Sequence, residues 1–206
     1  LSPATRFNLL KSQYYNFDEF SALVNGSCES SNFLLLSLNI RSIPKNIEEL
    51  LDDLSYYSVK PDAMSFCETR LSSELNQLYE IPSYKMFSNP RSTRGGGVAI
   101  YLKSIFQPVL VEELTGMDPI IESICVRARF GDECYLFYSV YRPPSANTAD
   151  FLEIMKVNLS IISRSFASDK IIVQGDLNLN LLNLCSNVPV TEYLSVMFSH
   201  GFFPVI

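Results

Sequence analysis

Four stretches of the chain place oxygen-rich side chains directly after an apolar run. They are Asn39-Ile40-Arg41-Ser42, Cys67-Glu68-Thr69-Arg70, Tyr141-Arg142-Pro143-Pro144 and Gly175-Asp176-Leu177-Asn178. Carboxylates and amides are hard ligands, and one or two of each at a shared site suit Mg²⁺ or Mn²⁺ rather than zinc. Such an ion keeps several waters and engages phosphate. The chemistry that fits is metal-assisted attack of water on a phosphodiester, with the ion neutralising the developing negative charge. Taken singly, each stretch has a plainer reading: a turn asparagine, an exposed Glu68–Arg70 ion pair, an Asx turn at Asp176 and Asn178, or an extended connector at Tyr141–Pro144. The functional reading comes from their joint occurrence at successive strand ends.

The intervening segments read as the elements that would hold those ends together. Phe33 to Ile40 is a near-continuous apolar run, expected to be a strand covered on both faces. Pro44 suits a first helical turn, and Ile47, Leu50, Leu51 and Leu54 follow at helical spacing. After the break at Lys60-Pro61-Asp62, Ala63 to Cys67 reads as a second buried strand. A β-α-β unit favours parallel strands, which brings Asn39 and Glu68 to neighbouring carboxyl ends, the edge where open α/β sheets bind ligands. From about residue 84 short strands are expected, at Val98–Leu102, Pro108–Val111, Glu122–Arg129 and Tyr135–Tyr141, with antiparallel hairpins. A helix over about Ala149–Phe166 precedes a third buried strand, Lys170–Gln174, and a last helix runs from about Val190 to His200. Phe202–Ile206 looks like the start of another strand.

Composition narrows the class. With 206 residues, one domain is expected, residues 32–206, preceded by an N-terminal arm, 1–31, whose Tyr14, Tyr15, Phe17 and Phe20 lie against it. Sixteen basic against 22 acidic residues give a net charge of −6, which argues against a strongly basic DNA clamp. The 25 Phe and Tyr side chains exclude simple disorder. Five scattered cysteines contain no CxxC pair, so neither a zinc ribbon nor a redox dithiol is supported; a Cys125–Cys134 bridge across a hairpin is the minor alternative to buried free thiols. No secretory leader and no run long enough for a membrane span is visible, so an intracellular protein, nuclear or cytoplasmic, with no membrane partner is expected. Gly95-Gly96-Gly97 lacks the pattern of a nucleotide-binding loop; with Arg91 and Arg94 before it, it is expected to open a hairpin strand, with an ordinary surface turn as the alternative.

The order LNIRS, PDAMSFCETRL, RGGGVAIYL, YRPP and IIVQGDLNLNLL resembles the endonuclease domain of non-LTR retrotransposons, over about residues 33–206. That domain belongs to the endonuclease/exonuclease/phosphatase superfamily, alongside the apurinic/apyrimidinic endonucleases. The resemblance implies a four-layer α/β/β/α sandwich of two mixed sheets. It also implies a Mg²⁺- or Mn²⁺-dependent DNA endonuclease that nicks a target duplex, the freed 3′-hydroxyl priming a reverse transcriptase region of the same parent chain. Glu68 then matches the main metal ligand, and Asn39 the asparagine beside the metal and scissile phosphate. Tyr141 matches the tyrosine that hydrogen-bonds the phosphate. Asp176 corresponds to the aspartate that positions or deprotonates the attacking water, and Asn178 to the asparagine that orients the phosphate and that aspartate. Arg41 and Arg70 are candidate backbone-phosphate contacts. The chain departs from the family pattern in its last motif, a Ser-Asp-His group: His200, its one histidine, has no aspartate before it. The final strands and their Asp-His pair are expected beyond Ile206, and their absence argues for inactivity of residues 1–206 alone. The alternatives are another phosphodiesterase or phosphatase of the superfamily, or a catalytically inactive relic serving as an interaction module.

Overall fold

The computed structural model describes residues 14–26, 33–91, 95–181 and 188–204. Arg94, Cys28, Cys185 and parts of the 1–31 arm and of the Phe202–Ile206 segment lie outside the described residues. In chain order the elements are α1 (Phe17–Gly26), β1 (Leu35–Asn39), α2 (Ile43–Tyr56), β2 (Ala63–Cys67), β3 (Tyr84–Asn89), β4 (Val98–Lys103), β5 (Val109–Leu110), β6 (Gly116–Met117), β7 (Glu122–Phe130), β8 (Glu133–Tyr141), α3 (Thr148–Ser165), β9 (Lys170–Asp176) and α4 (Val188–Ser199).

The strands form two mixed sheets, ordered β1-β2-β4-β3 and β5-β7-β8-β9, with β6 paired to β7. β1 and β2 are parallel, as the β-α-β unit requires, and so are β8 and β9; the remaining pairs are antiparallel. Side chains alternate across each strand, and that period of two builds the layers. Ala63 and Cys67 of β2 and Val98, Ile100 and Leu102 of β4 face Ile124, Val126 and Ala128 of β7 and Phe137 and Tyr141 of β8 in a core between the sheets. Met64, Phe66, Ala99 and Tyr101 point the other way, onto Ile43, Ile47 and Leu54 of α2. On the far side, Cys125, Leu136, Tyr138 and Val140 pack against Phe151, Met155, Leu159 and Ile162 of α3 and Val190 and Leu194 of α4. The architecture is helix, sheet, sheet, helix. Fully buried side chains such as Phe66, Phe137 and Phe151 each contribute about 1.5–3 kcal/mol relative to exposure.

Polar atoms inside this sandwich are only partly satisfied: among the described residues, Thr69 Oγ1 and both amide atoms of Gln174 are buried with no hydrogen-bond partner. Ser65 and Ser139 share a hydrogen bond of 2.8 Å between the two sheets. Asn147 caps α3, its side-chain oxygen accepting from the Ala149 N–H at 2.8 Å.

Several details differ from the sequence reading, each for a physical reason. β1 is not covered on both faces: it ends its sheet, and Ser37 and Leu38 are exposed. β9 also ends its sheet and is half-buried along most of its length. Beside these two strands runs a groove of about 610 Å³, into which Ser37 and Gln174 face. β3, which carries no clean alternation, was not anticipated as a strand; it is the outermost one, added to β4. Cys125 faces Tyr138 across the β7–β8 hairpin and Cys134 faces Arg129, so the register separates the two thiols, and both are free. Within the N-terminal segment, Phe17 stacks on Tyr57 at 4.7 Å, the Ser21 hydroxyl donates to the Tyr57 carbonyl, and Tyr14 is exposed.

Candidate active site

The same alternation that fills the core decides which side chains emerge at its rim. Leu35, Ser37 and Asn39 of β1 share a face, and Asn39 pairs in register with Cys67, the residue before Glu68. On the second sheet Tyr141, the last residue of β8, pairs with Asp176, the last of β9. All four candidate positions therefore reach one end of the sandwich, at carboxyl ends of strands and between the two sheets.

Their side chains meet. The Asn39 amide nitrogen donates to Glu68 Oε1 at 2.9 Å and to Asp176 Oδ2 at 2.8 Å. The Tyr141 hydroxyl donates to Glu68 Oε1 at 3.4 Å. Burial, reinforced by the Glu68 charge, pushes the Tyr141 phenol up to about 12, so at neutral pH it remains a proton donor. Arg70 lies 3.5 Å from Glu68 Oε2, the ion pair expected as the plainer reading, and Arg41 is exposed at the same rim.

Glycine makes the approach of β9 possible. Gly175, at φ +126°, lies so close to β8 that a Cβ there would sit 1.9 Å from the Val140 carbonyl oxygen. The residue before Asp176 must therefore lack a side chain, which is the physical content of the glycine in GDLN.

Asp176 is held from both sides. Its Oδ1 accepts the backbone N–H of Asn178 at 3.0 Å, an Asx turn, while Oδ2 takes the Asn39 amide. The turn and the site are one structure. Asn178 thus orients Asp176 through its backbone, and its side-chain nitrogen donates instead to the Arg142 carbonyl at 2.8 Å. Arg142, the arginine of YRPP, is a residue that sequence reasoning missed. It is buried, and its guanidinium donates to the carbonyls of Leu177, Asn178 and Ala146, each at 2.7 Å. An arginine directly after the strand-ending tyrosine was the available signal. Its partners lie more than thirty residues away in Leu177 and Asn178, so spacing alone did not reveal them.

The Asn39 oxygen accepts the Arg41 N–H at 3.2 Å, so the amide presents its positive end to both carboxylates. Two carboxylate oxygens converging on one electropositive group form the kind of hard-oxygen donor set that a divalent cation takes; for Asn39 to be a ligand, its amide must turn over. Among the described residues no group of three or more His, Cys, Asp or Glu side chains is placed to hold a metal. His200 lies at the end of α4, where its ring meets the Val196 carbonyl at 2.9 Å, and takes no part in this cluster.

The sequence matches no family model and no curated protein. Solved structures do match. The endonuclease domain of TRAS1, a telomere-specific non-LTR retrotransposon, superposes with a TM-score of 0.62 at 13% identity, over 85% of this chain and 75% of that one. A humanised TDP2 from D. rerio gives 0.56 at 18% identity, over 85% and 73%. An AP endonuclease from Archaeoglobus fulgidus gives 0.56 at 16% identity, over 82% and 71%. Identities this low speak for architecture. The chain has the fold of the endonuclease/exonuclease/phosphatase superfamily.

Proposed function

We propose that this chain is a divalent-cation-dependent DNA endonuclease of a non-LTR retrotransposon polyprotein, which nicks a target duplex to prime reverse transcription. The observation that carries this reading is the Asn39 amide shared between Glu68 and Asp176, which joins the two sheets at their common rim. The match to the TRAS1 endonuclease domain supports the choice of substrate.

Glu68, with Asn39, would hold Mg²⁺ or Mn²⁺, and the cation when bound would neutralise the charge that develops on the scissile phosphate. The protein's own groups do the rest. Asp176, fixed by Asn39 and by the Asn178 N–H, orients the attacking water and takes its proton. Tyr141, kept protonated, donates a hydrogen bond to a phosphate oxygen, and Asn178 contributes by holding the aspartate. Arg41 and Arg70, exposed beside the cluster, contact backbone phosphates and set register on the duplex. A reverse transcriptase region of the parent chain then uses the freed 3′-hydroxyl.

Nicking of supercoiled plasmid in Mg²⁺ or Mn²⁺, abolished by chelation, is the activity expected of these residues when a C-terminal extension supplies the Asp-His motif. Glu68→Gln should lower it by roughly 10³-fold while the melting temperature stays put. Equal nicking by wild type and Glu68→Gln would refute the assignment of Glu68 as metal ligand. Phosphoinositide, sphingomyelin and poly(A) substrates assayed in parallel test the other activities of the superfamily. Turnover of one of these with DNA untouched would transfer the same machinery to that substrate.

A further inference from the structure

One carboxylate at this rim has no part in the reaction outlined above. Glu122 opens β7 opposite Tyr141, so its side chain enters the layer between the sheets, where it is wholly buried. A buried carboxylate is costly unless its lone pairs are met. Oε2 accepts the Gly97 N–H at 2.5 Å, and Oε1 lies 3.2 Å from Arg91 Nη1. Gly96 and Gly97 leave the room for this. A Cβ on Gly96 would stand 2.5 Å from Glu122 Oε1, and one on Gly97 2.4 Å from Thr69 Oγ1.

The turn fastened in this way carries the segment that bears Glu68. The Gly97 carbonyl accepts the Thr69 N–H at 3.2 Å, and the Gly96 carbonyl accepts the Arg70 N–H at 3.0 Å. Those bonds have strain to hold. Glu68 and Arg70 both sit in the left-handed region, at φ 53° and 52°, where side-chain-bearing residues are uncommon. Released from the turn, this segment has every reason to relax to ordinary backbone and swing the Glu68 carboxylate away.

We propose that Glu122 is a positioning residue for Glu68: a carboxylate on one sheet fixes the Gly96–Gly97 turn of the other, and the turn holds Glu68 aimed at Asn39 and Asp176. This rests on the catalytic reading of Glu68 given above. What acts is the reach of the acceptor to the Gly97 N–H, so two near-isosteric variants separate positioning from simple filling of space. Glu122→Asp keeps the charge and draws the acceptor back by one methylene. Glu122→Gln keeps the reach and gives up the charge.

The test is amide hydrogen exchange at Gly97, Thr69 and Arg70 in the 206-residue chain, alongside calorimetric titration with Mn²⁺ alone. Glu122→Asp should speed exchange at these three amides by about tenfold, with the β8 interior unchanged, and weaken Mn²⁺ binding. Glu122→Gln should restore both toward wild type. Wild-type protection in Glu122→Asp, or equal loss in the two variants, would overturn the proposal. Should Glu122→Asp not fold, Glu122→Gln decides alone: retained protection at Thr69 and Arg70 supports the role of reach, and lost protection ends it. Exchange needs no catalysis, so a wild-type chain that binds no Mn²⁺ would sink the metal-dependent reading while the amides still judge Glu122.

Discussion

Glu68 and Glu122 stand at the same end of the sandwich in opposite surroundings. The Glu68 side chain is 22% accessible, and its partners are side chains: the Asn39 amide, the Tyr141 hydroxyl and the Arg70 guanidinium. Glu122 is sealed between the sheets and fastened to a backbone N–H and one arginine. A carboxylate that water can reach can exchange its present partners for a cation and a phosphate. One locked to the main chain can only hold that chain in place. The open cleft is free to be reorganised, and the buried joint is built against reorganisation.

If that contrast is right, substitutions in the two regions should separate activity from stability. The largest effect is expected in the cleft: Asp176→Asn should lower plasmid nicking by roughly 10²–10⁴-fold, with the denaturant midpoint little changed. A folded, fully active Asp176→Asn chain would break the comparison. In the joint, Gly97→Ala adds a Cβ against Thr69 Oγ1 at a backbone angle of +88°, and should cost about 1–3 kcal/mol in equilibrium unfolding. Titration sharpens the contrast further. Burial raises the Glu122 carboxyl above its ordinary value of 4.5, against the opposing pull of the Gly97 N–H and Arg91 and with help from Glu68. The folded state therefore holds this proton to higher pH than the unfolded chain does, so wild-type stability should fall relative to Glu122→Gln as pH rises from about 4.5. Unfolding curves of the two proteins across that range supply the check, and a constant difference would count against it. The smallest effect is expected at Arg70, 47% accessible in its ion pair with Glu68. Arg70→Gln should leave stability within about 0.5 kcal/mol and reduce the salt slope of DNA binding by about one.

Much of this arrangement is legible in the sequence because it follows from local pattern. The five buried positions of Ala63–Cys67 read as an interior strand, and the apolar run with its parallel crossover put Asn39 beside Glu68 before any coordinates did. The Glu122–Arg129 and Tyr135–Tyr141 runs likewise announced the β7–β8 hairpin. What stayed hidden depends on partners from another sheet or a distant loop. Leu38 is as apolar as a core residue and yet exposed, because only sheet order says that β1 is an end strand. Glu122 looked like the polar start of a hairpin strand; its burial is set by Gly96 and Gly97, twenty-odd residues earlier and on the opposite sheet. Asn178 was assigned from its motif, and nothing local could show that its side chain turns to Arg142 while its backbone serves Asp176.

Arg142 gives the β8–β9 side of the cleft a mechanical character. Its main-chain N–H meets the Asp176 carbonyl at 3.0 Å while its fork spans Ala146, Leu177 and Asn178, so the proline bend and the aspartate loop are bolted into a single bracket. Changes in the Pro143–Ala146 bend will then be transmitted to the Asp176 carboxylate as a displacement. That bend is the place to look when natural or engineered variants tune turnover without touching the polar cluster itself.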